Sequence, residues 1–261
     1  MRIERVDLDV SSRAPGGGVA AYVLGDDDGI LVDPGGDSDR LREVVATAEI
    51  SHVLATHHHP DHVGGIAAYA DDATVWARRG RERAFERASG VSPDRTFRPG
   101  ETIETTTGGV EVVDTPGHAP EHVALHVDDS FVSGDLAAAE GSVVVGAPEG
   151  DMRAYLSSLR RLYARDPDRL YPGHGPVIDE PRATLRRLIE HRLDRERRIL
   201  AAVEAGNETV EAITEAAYEK DIAGVADLAR ATVRAHLEKL AVENAIQWAG
   251  ERARPTCGRS I

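Results

Sequence analysis

Cysteine is almost absent from this chain: Cys257 is the one copy among 261 residues. A single thiol excludes an intramolecular disulfide framework and any thiolate metal cluster, and Cys257 reads as an inert tail residue. Lysine is nearly as scarce. Lys220 and Lys239 are the two present, and every other basic residue is arginine. Aromatic residues make up 4 %. No apolar run approaches the roughly 18–20 residues that span a bilayer, so no membrane association is expected. The opening MRIERVDLDV alternates charged and apolar residues and does not read as a signal peptide. The expected compartment is the cytoplasm. With 41 % hydrophobic and 29 % charged residues the chain is not a disordered one. Its length suits one large domain, or a medium one with an appendage.

The 45 acidic residues outnumber the 31 basic ones, for a net charge of −14. Much acid with little lysine suits a very salty cytoplasm, where a Debye length of about 3 Å at 1 M salt quiets surface repulsion. A GC-rich genome favours arginine over lysine equally well. The charge is unevenly spread: residues 1–150 carry −15, residues 151–198 carry +4, and residues 199–261 carry −3. The basic middle of an acidic protein is a candidate contact surface for anions.

The first 135 residues read as short strands separated by turns. Strands are expected at 20–25, 29–36, 51–56, 73–77, 110–114, 122–127 and 130–134, with helices at 38–48 and 63–70. Such alternation argues for a layered α/β protein. Helices dominate afterwards, at 151–165, 181–204, 208–217 and 227–240, with a short strand at 169–171. A hairpin around Gly250 closes the pattern. Two helices and a hairpin in about 50 residues suggest a winged helix-turn-helix. The expected division is a catalytic domain at 1–180, an arginine-rich connecting helix at 181–204, and a small winged-helix-like domain at 205–261.

Eleven histidines stand out. THHHPDHVGG carries His57, His58, His59, Asp61 and His62. TPGHAPEH carries His118 and His122, SGDL carries Asp135, and YPGHGP carries His174. Imidazole and carboxylate are the ligands zinc accepts where no cysteine is available. In an extended loop alternate residues share a side, so His57 and His59 can face one ion while Asp61 and His62 turn to a second. Each of these loops follows a strand end, and such loops gather along one sheet edge. His57, His59, Asp61, His62, His118, Asp135 and His174 give seven ligands if Asp135 bridges. Two tetrahedral ions need about three protein ligands each, plus a shared carboxylate and a shared water. His58 is expected to point away, His122 to support or pack against the site, and His52, His126, His191 and His236 to be packed or solvated.

THHHPDHVGG resembles the HxHxDH signature of the metallo-β-lactamase-fold hydrolases, and TPGHAPEH, SGD and PGHG resemble that family's later metal motifs, in order. The resemblance covers residues 1–180. It implies an α/β fold, an αββα sandwich with a binuclear site at one edge. It further implies that His57, His59 and His118 hold the first ion, that Asp61, His62 and His174 hold the second, and that Asp135 bridges. Asp33, in VDPGG, matches a family position that supports the ligands. The chain to about residue 250 resembles the beta-lactamase-like subgroup that includes a mitochondrial endoribonuclease. Through the core alone it also resembles hydroxyacylglutathione hydrolases and persulfide dioxygenases. It departs from true zinc β-lactamases, which lack the Asp of HxHxDH.

The expected activity is metal-dependent hydrolysis with two zinc ions per chain, manganese or iron being able to substitute. A water shared by two ions has its pKa lowered toward 7 and attacks carbon or phosphorus as hydroxide. Asp61 is expected to orient it and Asp135 to hold the ions together. Single-stranded RNA is the substrate slightly favoured, with Arg153, Arg160, Arg161, Arg165, Arg186, Arg187 and Arg192 as candidate phosphate contacts; internal salt bridging of these arginines is the competing reading. The alternative substrate is a small ester or thioester at an open mouth lined by Tyr155. Further alternatives are a DNA-binding regulator, reading through Arg230, Arg234 and Lys239 with Arg252 and Arg254 on the hairpin, and an iron oxygenase using His57, His59 and His118. Residues beyond 200 are expected to position substrate or mediate homodimerisation, and to supply no metal ligand.

Overall fold

Strand β2 (Val19–Leu24) is buried at every position. Its alternate residues Ala20, Tyr22 and Leu24 enter one core, while Val19, Ala21 and Val23 enter another. A strand apolar on both faces belongs inside a layered structure. The computed structural model, which describes residues 1–14, 17–218 and 222–256, has that form. Cys257 lies outside the described residues.

One sheet runs in the order β1 (Ile3–Leu8), β2, β3 (Gly29–Val32), β4 (Ile50–Leu54), β5 (Thr74–Arg78) and β6 (Arg95–Phe97). Its first three strands are antiparallel, and β3 to β6 are parallel. The second sheet runs β11 (Arg169–Pro172), β10 (Ser130–Gly134), β9 (Val123–Val127), β8 (Gly108–Asp114) and β7 (Thr102–Thr105). It is antiparallel except between β10 and β11.

Tyr22, Ile30, Val32 and Leu54 of the first sheet meet Val110, Val112, Leu125 and Val132 of the second in a shared core. The outer face of the first sheet is covered by α1 (Asp39–Thr47), α2 (Pro60–Val63) and α3 (Glu82–Ser89), through Leu41, Val44, Val63 and Phe85. The outer face of the second is covered by α4 (Met152–Arg165) and α5 (Pro181–Glu204), through Leu156, Leu159, Leu185 and Leu188. The order helix, sheet, sheet, helix gives the mixed α/β architecture.

The remaining elements are α6 (Val210–Ala217), α7 (Ala226–Val242), β12 (Ile246–Trp248) and β13 (Ala253–Pro255). They build a separate core with Ile199 and Val203 at the end of α5. Ala235 of α7 reaches the α4–α5 core, so the C-terminal unit is packed on the sandwich. Among the described residues no helix is long and apolar enough to cross a membrane.

The helix expected over 63–70 is instead the short α2, opened by Pro60 at its first position and closed before Gly64-Gly65, followed by one 3₁₀ turn at Ile66–Ala68. Strands β1, β6 and β7 and helix α3 carried too few inward apolar residues to be read from sequence: β6 buries Phe97, β7 buries Ile103, and α3 buries Phe85 and Ser89.

Candidate metal centre

Parallel pairing places the ends of β3 and β4 side by side, and the ends of β8, β10 and β11 beside them across the sandwich. Backbone bonds stitch the two sheets at this edge, from Ala20 N–H to Gly173 O (2.8 Å) and from Val123 N–H to Thr56 O (2.9 Å). The loops leaving these strands carry all seven expected ligands. The structure brings those seven together in three overlapping groups: His57, His59, His118; His57, His62, Asp135; and Asp61, His62, His174. Within each group the ligand atoms lie within 4.8 Å of one another.

Hydrogen bonding on the far side of each ring decides which nitrogen is bare. Thr56 Oγ1 donates to Asp33 Oδ2 (2.8 Å), so it accepts from His57 Nδ1 (3.1 Å) and leaves His57 Nε2 without a proton. His118 Nδ1 donates to the Val144 carbonyl (2.6 Å), and His174 Nδ1 to the Gly18 carbonyl (2.6 Å). His62 Nδ1 donates to Asp33 Oδ2 (2.9 Å). The inward Nε2 atoms of His57, His118 and His174 therefore present lone pairs, and that of His62 does so once a cation displaces the proton its acidic neighbours favour there.

These lone pairs face one another. His57 Nε2 and His118 Nε2 lie 2.9 and 3.0 Å from His59 Nδ1, and Glu149 Oε2, 3.5 Å from His59 Nε2, favours the proton on that outer nitrogen. His62 Nε2 and His174 Nε2 approach to 3.4 Å, and each is 3.5 Å from Asp135 Oδ1. Asp61 Oδ2 is 3.5 Å from His174 Nε2. Asp135 Oδ1 is buried without a hydrogen-bond partner, while Oδ2 lies 3.4 Å from His118 Nε2. Confronted lone pairs and an orphaned carboxylate oxygen are what cations resolve. The residues fit bound metal, and the two oxygens of Asp135 face different groups.

The electrostatics agree. Burial, followed by His62 and His118, holds His57 well below the ordinary imidazole range. Burial would likewise lower His62, but Asp33 and Asp135 outweigh it and push the ring well above that range. Burial would raise Asp135, yet His62 and then His118 hold its carboxyl far below the usual range. The space between these groups demands positive charge.

The supporting residues are equally constrained. Asp33 adopts a left-handed φ of 52°, which turns its carboxylate onto Thr56 N–H (2.6 Å), Thr56 Oγ1 and His62. His122 is fully buried, and burial holds its pKa at about 3. Its Nε2 accepts from the Asp135 N–H (3.0 Å), which fixes the turn that delivers the carboxylate. That turn needs Gly134 (φ 47°), since a Cβ there would lie 2.5 Å from Thr56 Oγ1. His58 points away, its ring 5.4 Å from that of Phe85 and its N–H donating to Glu121. Sequence reasoning passed over Thr56, Glu121 and Glu149. Thr56, directly before the histidine run, was the one with a signal.

A cavity of about 720 Å³ opens on the cluster, which supplies its floor through His59, Asp61, His118, Asp135 and His174. Ala138, Ala139, Val143, Val144 and Ala147 form an apolar wall, and Leu228 and Ala231 of α7 close it. Gly146 seats against Ala231, and Ala147 N–H donates to the Ala231 carbonyl (3.1 Å). Arg13, at the rim, pairs with Asp227 of α7 (2.8 Å).

The expected substrate residues lie elsewhere. Tyr155 does not line the mouth. It is fully buried, and its hydroxyl donates to the Leu136 carbonyl (2.8 Å). Arg192 is buried as well, bonded to the Val143 carbonyl and lying over the Tyr155 ring. Arg187 donates to the carbonyls of Gly141 (2.7 Å), Ala138 (2.9 Å) and Ala139 (3.0 Å), fastening the cavity wall from behind. Arg186 is exposed, facing Glu190 and a separate surface hollow. Arg192 is buried and bonded to a backbone carbonyl, and Arg187, though exposed, has its guanidinium taken up by three backbone carbonyls, so the expectation of phosphate contacts is corrected for these two.

Comparison with known proteins follows the same lines. The Metallo-beta-lactamase superfamily profile matches residues 14–174. A beta-lactamase-like protein 2 homolog of Drosophila melanogaster is 32 % identical over 88 % of this chain and 84 % of its own. An atrochrysone carboxyl ACP thioesterase of Aspergillus fumigatus is 26 % identical over 72 % of this chain and 60 % of its own. A crystal structure of a metallo-beta-lactamase family protein from Thermus thermophilus superposes with a TM-score of 0.76 at 23 % identity, covering 97 % and 98 % of the two chains.

Proposed function

Since this chain belongs to the metallo-beta-lactamase superfamily and is a metal-dependent hydrolase, we propose that it cleaves small thioesters or esters with an apolar acyl group at a two-metal centre. The observation that carries the substrate class is the alanine- and valine-rich wall facing the cluster. A thioester is hydrolysed by the A. fumigatus relative according to its name, and shape and lining support the same class here.

His57, His59 and His118 would hold one ion, Asp61, His62 and His174 the other, and Asp135 both. Zinc suits this nitrogen and oxygen donor set, with iron or manganese as substitutes. When bound, the pair supplies a nucleophilic water at neutral pH and Lewis acidity toward the substrate oxygen. The chain's own residues do the rest. The wall from Ala138 to Ala147, with Leu228 and Ala231, holds the acyl group and excludes bulk water. Asp61 at the floor accepts a hydrogen bond from the attacking water and orients it. Asp33 and Thr56 fix the rings of His62 and His57, and His122 fixes the Asp135 turn.

The phosphodiester reading loses two of its seven candidate contacts, because Arg187 and Arg192 are engaged with backbone carbonyls. The helix–helix–hairpin end resembles a winged helix, but Arg252 and Arg254 pair with Glu208, and Lys239 sits between Glu196 and Glu243. We read that end as a cavity wall. The test is a hydrolysis panel on metal-loaded protein, comparing acyl thioesters, aryl esters, lactones, phosphodiesters and single-stranded RNA. Turnover of thioesters or esters that rises with acyl length supports the reading. Cleavage of RNA with no thioester or ester turnover overturns it.

A further inference from the structure

Residues 78–98 hold seven arginines against the acids Glu82, Glu86 and Asp94, in a chain of net charge −14. Arg78 is engaged with Asp114, and Arg95 lies over the Trp76 ring. Arg79, Arg81, Arg83 and Arg87 are exposed and form no ion pair among the described residues. This is unlike the arginines near the N-terminus, where Arg2, Arg5, Arg40 and Arg42 all pair with nearby carboxylates. A cluster of unengaged guanidiniums in an acidic protein, where carboxylates are plentiful, is a surface kept open for an outside anion.

Its position gives it a use. Phe85 of α3 packs on the His58 ring at 5.4 Å, and the flanking His57 and His59 belong to the metal cluster. Arg78, at the end of β5, donates to Asp114 Oδ1 (2.7 Å) and to the Glu121 carbonyl (3.2 Å), gripping both ends of the loop that carries His118. The patch therefore adjoins the metal edge without contributing to it.

The chemistry selects the class of anion. Single-stranded nucleic acid needs aromatic platforms as well as charge. Phe85 is buried, Trp76 is half-buried beneath Arg95, and Val225 and Val242 are the large hydrophobic side chains exposed among the described residues. Guanidiniums spread over an eight-residue helix and the turn before it match the scattered carboxylates of an acidic protein surface, which they can hold bidentately. We infer that Arg79, Arg81, Arg83 and Arg87 form the docking face for a small acidic protein that presents the acyl thioester to the cavity. The nature of the cargo rests on the thioester reading above; the docking itself does not.

The experiment uses the metal-loaded full chain and three probes: acyl carrier protein bearing an octanoyl thioester, octanoyl-N-acetylcysteamine, and a short single-stranded RNA. The parent is compared with an Arg79→Glu/Arg83→Glu/Arg87→Glu variant and the corresponding Gln variant. Binding of the carrier should weaken with added salt and fall at least about tenfold on charge reversal. The loss should appear in KM with kcat retained, and the Gln variant should lie between. Turnover of the small thioester should be equal in all three, which also shows that each is folded. Equal carrier binding in parent and variants overturns the inference. So does RNA binding that is lost on reversal where the carrier does not bind. If neither thioester is hydrolysed the substrate reading fails, while salt-sensitive carrier binding abolished by reversal still upholds the docking face.

Discussion

The metal edge and the α5–α7 end both bury polar side chains, but they arrange them differently. At the edge, the inward nitrogens of His57, His62, His118 and His174 converge, and Asp135 Oδ1 is left without a partner. In the C-terminal region many partners are internal: Arg192 to the Val143 carbonyl, Lys239 to Glu196 and Glu243, and His236 Nδ1 near Glu196 Oε2 at 3.3 Å, while His191 Nδ1, Arg192 Nε and His236 Nε2 are buried without a hydrogen-bond partner. What sets the edge apart is convergence: several metal-ligating atoms face one small space there, and no such group forms among the described residues of the C-terminal region.

The sharpest way to break this contrast is to remove Asp135, the buried carboxylate with an unpartnered oxygen that is proposed to contact both ions. Asp135→Ala should lose most bound metal and lower kcat/KM by about 10³-fold or more, as expected from several kcal/mol of lost metal catalysis. Elemental analysis beside kinetics checks it, and full metal occupancy in this variant would end the bridging assignment. Asp33→Asn keeps the shape of the side chain but weakens its grip on His62 and Thr56. Metal affinity should fall about 10–100-fold, read by competition with a chelator.

The C-terminal region should respond differently. Arg192→Leu leaves the Val143 carbonyl unsatisfied and should cost about 1–3 kcal/mol of stability, with metal content unchanged. Thermal melts and elemental analysis separate the two effects. Glu196 supplies a pH signature. Burial tends to raise its carboxyl, yet His236 and Lys239 hold it below its ordinary 4.5. Its stabilisation is therefore fully present above the unfolded-chain value and is lost as pH falls through the depressed folded value. Melts of metal-free protein in buffers below about pH 4.5 should show that loss, and Glu196→Gln should flatten it. The smallest expected effect is that of His58→Ala, which should retain both metal content and activity because the ring faces Phe85.

What the sequence revealed follows the same division. The centre was legible because each donor sits in a short motif behind a strand end, and strand pairing brings those ends together whatever the details of packing. Charge alone could not say where the α5 arginines point. Arg187 and Arg192 read like Arg186, yet only the fold shows that the first two turn inward to carbonyls of residues 138–143. Tyr155 was misplaced for a similar reason: its helix presents that position to the core, where Gly117 packs against its backbone. Helix α3 was overlooked because its arginines mask a single large apolar residue, Phe85.

The cavity wall contributed by α7 also imposes an order in time. The last donor of the cluster is His174, whereas Leu228 and Ala231, which close the cavity, arrive more than fifty residues later. At a synthesis rate of about 5–20 residues per second, roughly 3–10 s separate the two events. A nascent chain thus acquires its donors before it acquires an enclosed place for substrate. Enclosure of the cavity waits for α7, and premature termination after His174 yields a chain with every donor but without the wall that Leu228 and Ala231 supply.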